Sequence, residues 1–237
     1  MYFLFSGEGA SDLGVGLQAG VCEGENYLQG PLALIVDMIF QAKLNYSLFD
    51  YFCGFVSKTE LKQEVDKLKP LKKFRIPRGD IKHEQGTKYF RNNARVSAII
   101  AKRIAKERKD DVIVILFRDS DTTDFNEWAK KRDSILNGFL DENFNNGIPM
   151  LPRPVSEAWL LCAIYRQENQ NTNCDYLEEI KHGGKSEHAL KIQLEEKIGQ
   201  SITRELLNEY VKTGKITYTN INLPGFNDFQ QRLTEIL

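Results

Sequence analysis

The run Val112–Phe117, with the sequence Val-Ile-Val-Ile-Leu-Phe, constrains the fold of this chain more than any other segment. Every residue in it is apolar, and the first four are β-branched. A strand with one face in water alternates apolar and polar residues, whereas a continuously apolar strand is covered on both faces. The run therefore predicts a central strand of a parallel sheet with helices packed on both sides.

Further apolar segments predict a small sheet around this strand. Tyr2–Phe5 and Leu48–Val56 precede it, and Ile148–Leu151 follows it. Strands that alternate with helices are typical of an α/β fold whose sheet is mainly parallel. Helices are predicted between these strands and after the last of them. They begin at Pro31 and at Ser156, and the others are Lys58–Lys69, Tyr89–Arg108 and Phe125–Asn143. Ser57 and Asp124 are the predicted N-caps of the helices that follow them.

The strand signal ends near residue 167. After a polar segment only helices are predicted, over residues 186–198, 203–212 and 226–237. We therefore predict a Rossmann-like α/β core over residues 1–167, with a basic helical insertion at about 58–109. A helical extension over 168–237 is expected to pack on that core.

The charge of the chain is unevenly distributed although its net charge is only -1. Residues 58–109 hold 17 Lys and Arg against 6 Asp and Glu, a net of +11, which leaves a net of -12 elsewhere. A basic face beside an acidic site could hold a polyanion such as nucleic acid. A set of helices kept soluble by lysine explains the same count equally well.

Cysteine usage and hydropathy bear on the compartment. The four cysteines form no Cys-x-x-Cys pair, so a zinc site is unsupported. So few cysteines in a chain of this length are typical of the reducing cytoplasm. No apolar run approaches the length of a membrane span, so no membrane partner is expected.

Acidic residues follow three of the predicted strands. Glu8 follows the first, Asp119 and Asp121 follow the central run, and Glu157 comes soon after the last. Ligands of open parallel sheets bind at the carboxyl ends of the strands. In an extended segment residues two apart point the same way, so Asp119 and Asp121 can face one site. Crowded carboxylates need a cation, and Mg²⁺ or Mn²⁺ suits oxygen ligands and phosphate substrates.

Each acid also has a local explanation. The segment Asp119–Asp124 has the composition of a turn followed by a helix N-cap, a role expected of Asp124. Glu157 could serve only as a favourable charge at a helix start, and Glu8 could lie in a tight turn between its two glycines. Their coincidence at the ends of three of the four predicted strands favours a shared site.

Four segments carry a resemblance to a known family. Gly7–Asp12 (Gly-Glu-Gly-Ala-Ser-Asp) and Asp119–Asp121 (Asp-Ser-Asp) resemble the Glu-Gly-x-Thr-Glu and Asp-x-Asp motifs of the OLD-type nucleases. These nucleases share the TOPRIM domain with topoisomerases and primases. Arg153–Leu161 and Leu223–Phe229 are similar to the Glu-Ala-Trp-Leu segment and the closing segment of an uncharacterised bacterial TOPRIM-like family.

The resemblance implies a TOPRIM fold and a divalent-metal-dependent nuclease acting on DNA or RNA. The ion would be Mg²⁺ or Mn²⁺, and its ligands would be Glu8, Asp12, Asp119, Asp121 and Glu157. OLD-type relatives also use a lysine to stabilise charge, and Lys185 is the candidate here. Such proteins often serve phage defence beside a separate ATPase. This chain has no Gly-x-x-x-x-Gly-Lys-Ser/Thr loop, so a partner is expected to hydrolyse the ATP.

Three alternatives remain open at this point. A haloacid-dehalogenase-type phosphatase would use Asp119 as nucleophile in Asp119-x-Asp121-x-Thr123, but leaves Glu8 and Glu157 without a role. A dinucleotide-binding loop is suggested only by Gly14-x-Gly16-x-x-Ala19, which lies well past the first strand. A non-catalytic TOPRIM-like subunit would use the same acids to hold a metal for structure.

Overall fold

The computed structural model describes residues 1–50, 52–68, 86–180 and 189–237 of the chain. The strands in those ranges are β1 (Tyr2–Gly7), β2 (Gly14–Gly16), β3 (Cys22–Glu23), β4 (Tyr27–Gln29), β5 (Cys53–Ser57), β6 (Val112–Phe117) and β7 (Gly147–Met150). The helices there are α1 (Pro31–Leu44), α2 (Lys58–Leu68), α3 (Lys88–Arg108), α4 (Phe125–Asp141), α5 (Ser156–Glu168), α6 (Ala189–Ile198), α7 (Arg204–Lys212) and α8 (Pro224–Ile236).

Five of these strands form one sheet in the order β3-β5-β1-β6-β7. β1 lies at its centre and pairs in parallel with β5 and β6, and β6 pairs in parallel with β7. Only β3 runs antiparallel, at the edge beside β5. The predicted α/β class, with a mainly parallel sheet flanked by helices, is confirmed.

The two central strands are buried on both faces. All six residues of β1 and all six of β6 are buried. Alternate residues enter different apolar clusters, because successive side chains of a strand point to opposite faces. Phe3 and Ile113 lie in one cluster, and Leu4 and Val114 lie in the other. The continuous apolar run thus has the two-sided cover that its sequence predicts.

Different helices cover the two faces. Apolar residues of α1, α5, α6, α7 and α8 share the cluster that contains Phe3, and residues of α2, α3 and α4 share the cluster that contains Leu4. One face of the basic helix α3 therefore packs in the core, and Lys102, Arg103 and Lys106 lie exposed on the rest of the helix. The division of the chain at residue 167, and the insertion at 58–109, stay predictions.

Local hydrogen bonds explain one wrong boundary. The predicted strand Leu48–Val56 begins only at Cys53, because the residues before it form a turn bound to α1. There the buried carboxylate of Asp37 accepts hydrogen bonds from the backbone of Leu48 at 2.6 Å and from the hydroxyl of Ser47 at 3.0 Å. An aspartate inside a helix that captures a later loop leaves no local pattern in the loop itself.

The glycine pattern near residue 14 lies in a strand. Gly14–Gly16 is β2, and it pairs antiparallel with β4 in a separate two-stranded sheet. A dinucleotide-binding loop instead joins a strand of the main sheet to the N-terminus of a helix. The interpretation of Gly14-x-Gly16-x-x-Ala19 as such a loop is therefore wrong. Among the helices of the described ranges, none is long and apolar enough to cross a membrane.

Candidate metal centre at the carboxyl edge of the sheet

The register of the sheet brings three loops to one edge. Gly7, the last residue of β1, pairs with Phe117, the last of β6, and Phe117 pairs with Met150, the last of β7. The loops that follow these strands therefore begin side by side. Two backbone hydrogen bonds tie the second loop to the third, from Ser120 to Pro152 at 3.2 Å and from Asp121 to Pro154 at 3.0 Å.

Two glycines shape the first loop by close approach. Gly9 has a φ of +92°, and a Cβ there would lie 2.5 Å from Oδ2 of Asp12. Gly7 has a φ of +144°, and a Cβ there would lie 2.2 Å from the carbonyl oxygen of Phe117. The amide of Asp12 donates to the carbonyl of Gly9 at 3.0 Å, which closes a turn over residues 9–12. The glycines thus allow this loop to lie against the end of β6.

Ser156 joins two of the candidate carboxylates. It is the first residue of α5, so its backbone N–H has no partner within the helix. That N–H donates to Oδ1 of Asp119 at 3.0 Å, and the hydroxyl of Ser156 donates to Oδ1 of Asp12. Ser156 is itself buried, at 1% exposure. The sequence predicts only a helix start at Ser156, although a serine beside Glu157, shortly after a predicted strand, was a usable signal.

Asp119 lies at the centre of the acidic cluster. Burial raises the pKa of Asp119 well above its usual range, and the negative charges of Asp12, Glu157 and Asp121 raise it further. The hydrogen bond from Ser156 opposes this rise only in part. The loops after β1 and β6 and the start of α5 therefore bring four predicted ligands within electrostatic reach of one another.

Asp12 connects this cluster to Glu8. Burial also raises the pKa of Asp12, against the opposing hydrogen bonds from Ser156 and Ser11, and the charge of Glu8 adds to the rise. Lys191 of α6 lowers the pKa of Asp12. No sequence signal pointed to Lys191, because it approaches the site only through the packing of the C-terminal helices.

Glu8 has cationic neighbours as well as acidic ones. Its Oε2 lies 2.8 Å from Nη1 of Arg118 and also accepts a hydrogen bond from Lys58. Burial alone would raise the pKa of Glu8, but the bond from Lys58 and the charge of Arg118 outweigh burial and lower it. Cations thus favour the ionised form of Glu8, whereas burial disfavours that form of Asp12 and Asp119.

The backbone conformation at Asp121 differs from the extended one that the sequence predicts. Its φ is +52°, in the left-handed region, so the segment from Asp119 to Asp121 is not extended. The predicted extended backbone is therefore not found at Asp121, whose amide donates to the carbonyl of Pro154 at 3.0 Å. The charge of Asp121 still acts on Asp119.

The remaining candidates have separate outcomes. Asp124 is the N-cap of α4 and accepts a hydrogen bond from the amide of Glu127, as predicted. Arg153 forms an ion pair with Glu178 at 2.6 Å. Lys185 lies outside the described residues.

The donors at this edge fit a hard divalent cation. They are carboxylate oxygens alone, and burial and mutual repulsion disfavour the ionised form of Asp12 and Asp119. A cation with oxygen preference relieves both effects, which is the chemistry of Mg²⁺ and Mn²⁺ sites. In the part of the chain that the structure describes, no three His, Cys, Asp or Glu side chains are already arranged as a metal-binding group.

The fold and the site define an α/β protein with a carboxylate cluster at the carboxyl edge of a mainly parallel sheet. Comparison with protein-family models, with curated proteins and with solved structures gives no match to this chain.

Proposed function

We propose that this chain is a nuclease of the TOPRIM kind that uses Mg²⁺ or Mn²⁺ to hydrolyse phosphodiester bonds in DNA or RNA. The observation that carries the proposal is the surroundings of Asp119. This carboxylate lies among three others, and it lies where ligands of parallel sheets bind. Such a group is costly to ionise without a bound cation.

Asp119 and Asp12 would hold the metal, with Glu157 and Asp121 beside them. Ser156 keeps Asp119 and Asp12 in place through its amide and its hydroxyl. When bound, Mg²⁺ or Mn²⁺ supplies Lewis-acid stabilisation of the phosphoryl oxygens. Lys58 and Arg118, held next to the cluster by Glu8, add positive charge where a phosphate would lie.

The positions of Glu8 and Glu157 favour a nuclease over the phosphatase alternative. Glu157 acts electrostatically on Asp119, and Glu8 acts on Asp12. A phosphatase that used Asp119 as its nucleophile would need neither glutamate. A site that binds metal through several carboxylates gives both of them a role.

The cellular setting is proposed from the resemblance. We place the enzyme in the cytoplasm as the effector of a bacterial phage-defence system, working with a partner ATPase. The cysteines support a reducing compartment, since Cys22, Cys53, Cys162 and Cys174 are all free and buried.

The test is a cleavage assay on single- and double-stranded DNA and RNA with Mg²⁺ or Mn²⁺. We expect the parent to cleave at least one substrate, EDTA to stop it, and Asp119→Asn to be inactive. Asp50→Asn, which changes an exposed aspartate outside the cluster, is the matched control and is expected to cleave like the parent.

Two results would contradict the proposal. Hydrolysis of a simple phosphomonoester by both the parent and Glu8→Ala, without nucleic-acid cleavage, would identify a phosphatase. Metal-dependent thermal stabilisation with no cleavage of any substrate, even with a partner ATPase present, would identify a structural metal-binding subunit.

A further inference from the structure

Arg118 is the most unusual cation in the described part of the chain. Its side chain has 0% exposure, and its Nη1 lies 2.8 Å from Oε2 of Glu8. Its other two guanidinium nitrogens, Nε and Nη2, have no hydrogen-bond acceptor among the described residues. Burying charged donors without acceptors is costly, so this position favours an additional anionic partner. A phosphate matches the planar fork of arginine.

The start of two helices adds positive potential beside Arg118. Lys58 is the first residue of α2, and Tyr89 is the second residue of α3. The N-terminus of a helix carries partial positive charge and unpaired N–H groups, both of which favour anions. Lys58 and Arg118 bring two full positive charges to Glu8, which balances only one of them.

An exposed aromatic ring lies on these cations. The guanidinium carbon of Arg118 is 4.6 Å from the ring centroid of Tyr89, and Nζ of Lys58 is 5.9 Å from it. Even so, 44% of Tyr89 is exposed. An exposed tyrosine beside a phosphate-binding cation is the arrangement that holds an unpaired base and its backbone together.

We propose that Arg118, Lys58 and Tyr89 form a subsite for single-stranded nucleic acid next to the carboxylate cluster. Lys58, whose side chain is 53% exposed, takes a backbone phosphate, the buried Arg118 adds its positive charge, and Tyr89 stacks on the adjoining base. Glu8 occupies the cations until the phosphate arrives. A duplex does not fit this subsite, because its bases are stacked on one another and not available to Tyr89. The inference rests on the proposed function, which requires the strand to continue from Arg118 to the adjacent Asp119.

Binding measured in EDTA tests the subsite without cleavage. Fluorescence anisotropy would follow a labelled oligothymidine of about 12 nucleotides with the parent and three variants. Tyr89→Leu, which keeps apolar bulk but loses the ring, is expected to weaken binding about tenfold. Lys58→Gln is expected to make the slope of log K against log salt shallower by about 0.7. Tyr176→Leu is the control, because Tyr176 is similarly exposed, at 48%, and lies outside the subsite.

Glu8→Gln is expected to act in the opposite direction and to tighten binding, because it frees the two cations. This gain should shrink in a Lys58→Gln background, which separates local pairing from a general loss of negative charge. Equal affinities for Tyr89→Leu and the parent, preference for a duplex, or no binding by the parent would each overturn the subsite. If the subsite fails these tests but the parent still cleaves nucleic acid, the proposed nuclease activity stands without the subsite. If binding depends on Tyr89 but no substrate is cleaved, the subsite stands and the nuclease activity is rejected.

Discussion

Asp119 is a candidate site residue whose surroundings disfavour its ionised form. Its backbone position is fixed by the end of β6, and its carboxylate is placed among Asp12, Glu157 and Asp121 by other parts of the chain. Burial and three like charges make its ionised form unfavourable, which is the condition that a bound cation reverses.

Asp119→Asn is therefore expected to stabilise the metal-free protein while abolishing activity. Because the folded-state pKa is raised, the parent loses stability as pH rises from the ordinary aspartate range through that pKa. Asparagine removes this loss and can still accept the bond from Ser156, so we expect the variant to be more stable than the parent near neutral pH. Urea unfolding in EDTA across pH measures it.

The control for this change is again Asp50→Asn, which should follow the pH profile of the parent. Mn²⁺ should reverse the order, because only the parent gains binding energy from it. An Asp119→Asn variant that is less stable than the parent at every pH would show that the carboxylate stabilises the fold.

Helix α5 is the element that organises the site. Its first amide and first hydroxyl, both from Ser156, bind Asp119 and Asp12. Its next residue is Glu157, and its later residues include Trp159, which packs in the core. The buried part of α5 therefore fixes the position of its polar N-terminus, so the carboxylates are held by packing as well as by hydrogen bonds.

Ser156→Ala separates the two bonds that this helix makes. The variant keeps the amide that binds Asp119 but loses the hydroxyl that binds Asp12, so Asp12 is less well oriented. We expect Mn²⁺ affinity, measured by calorimetry, to fall about tenfold, as for other groups that orient metal ligands. Ser134→Ala removes a hydroxyl that bonds the carbonyl of Thr87, and serves as the control. Unchanged Mn²⁺ affinity would mean that Asp12 is not a ligand.

The whole molecule is held together across the predicted division at residue 167. The ring of Trp159 lies 5.1 Å from that of Phe226 and 6.3 Å from that of Phe229, both on α8. Glu178 adds a polar link, since it accepts the amide of Gly225 at 3.0 Å and pairs with Arg153. The C-terminal helices and the sheet thus share one apolar cluster.

Phe226→Ala is expected to destabilise the entire chain. Phe226 is fully buried, so its truncation should lower the free energy of unfolding by about 3–5 kcal/mol. Because the cluster is shared, unfolding should remain a single transition by both circular dichroism and tryptophan fluorescence. Phe125→Ala, at a residue 54% exposed, should cost less than about 1 kcal/mol. A separate early transition in Phe226→Ala would indicate an independent C-terminal unit.

Local sequence determined much of the fold. The apolar run Val112–Phe117 specified a central strand, and Asp124 specified a helix start, because both depend on neighbours along the chain. The order of acids after strands also placed Glu8 and Asp119 at one edge, since parallel strands end together. These features follow from periodicity and capping, which act over a few residues.

Tertiary structure alone decided how the site is assembled. Ser156 reaches Asp12 across 144 positions of sequence, and Lys58 reaches Glu8 across 50. Neither pairing leaves a mark on the residues near it in the chain. The approach of Lys191 to Asp12 likewise depends on how α6 packs. The sequence by itself determined which residues lie at the ends of strands. Packing decided which carboxylates share a hydrogen-bond donor and which carboxylate pairs with cations, because both depend on distances that the complete core sets.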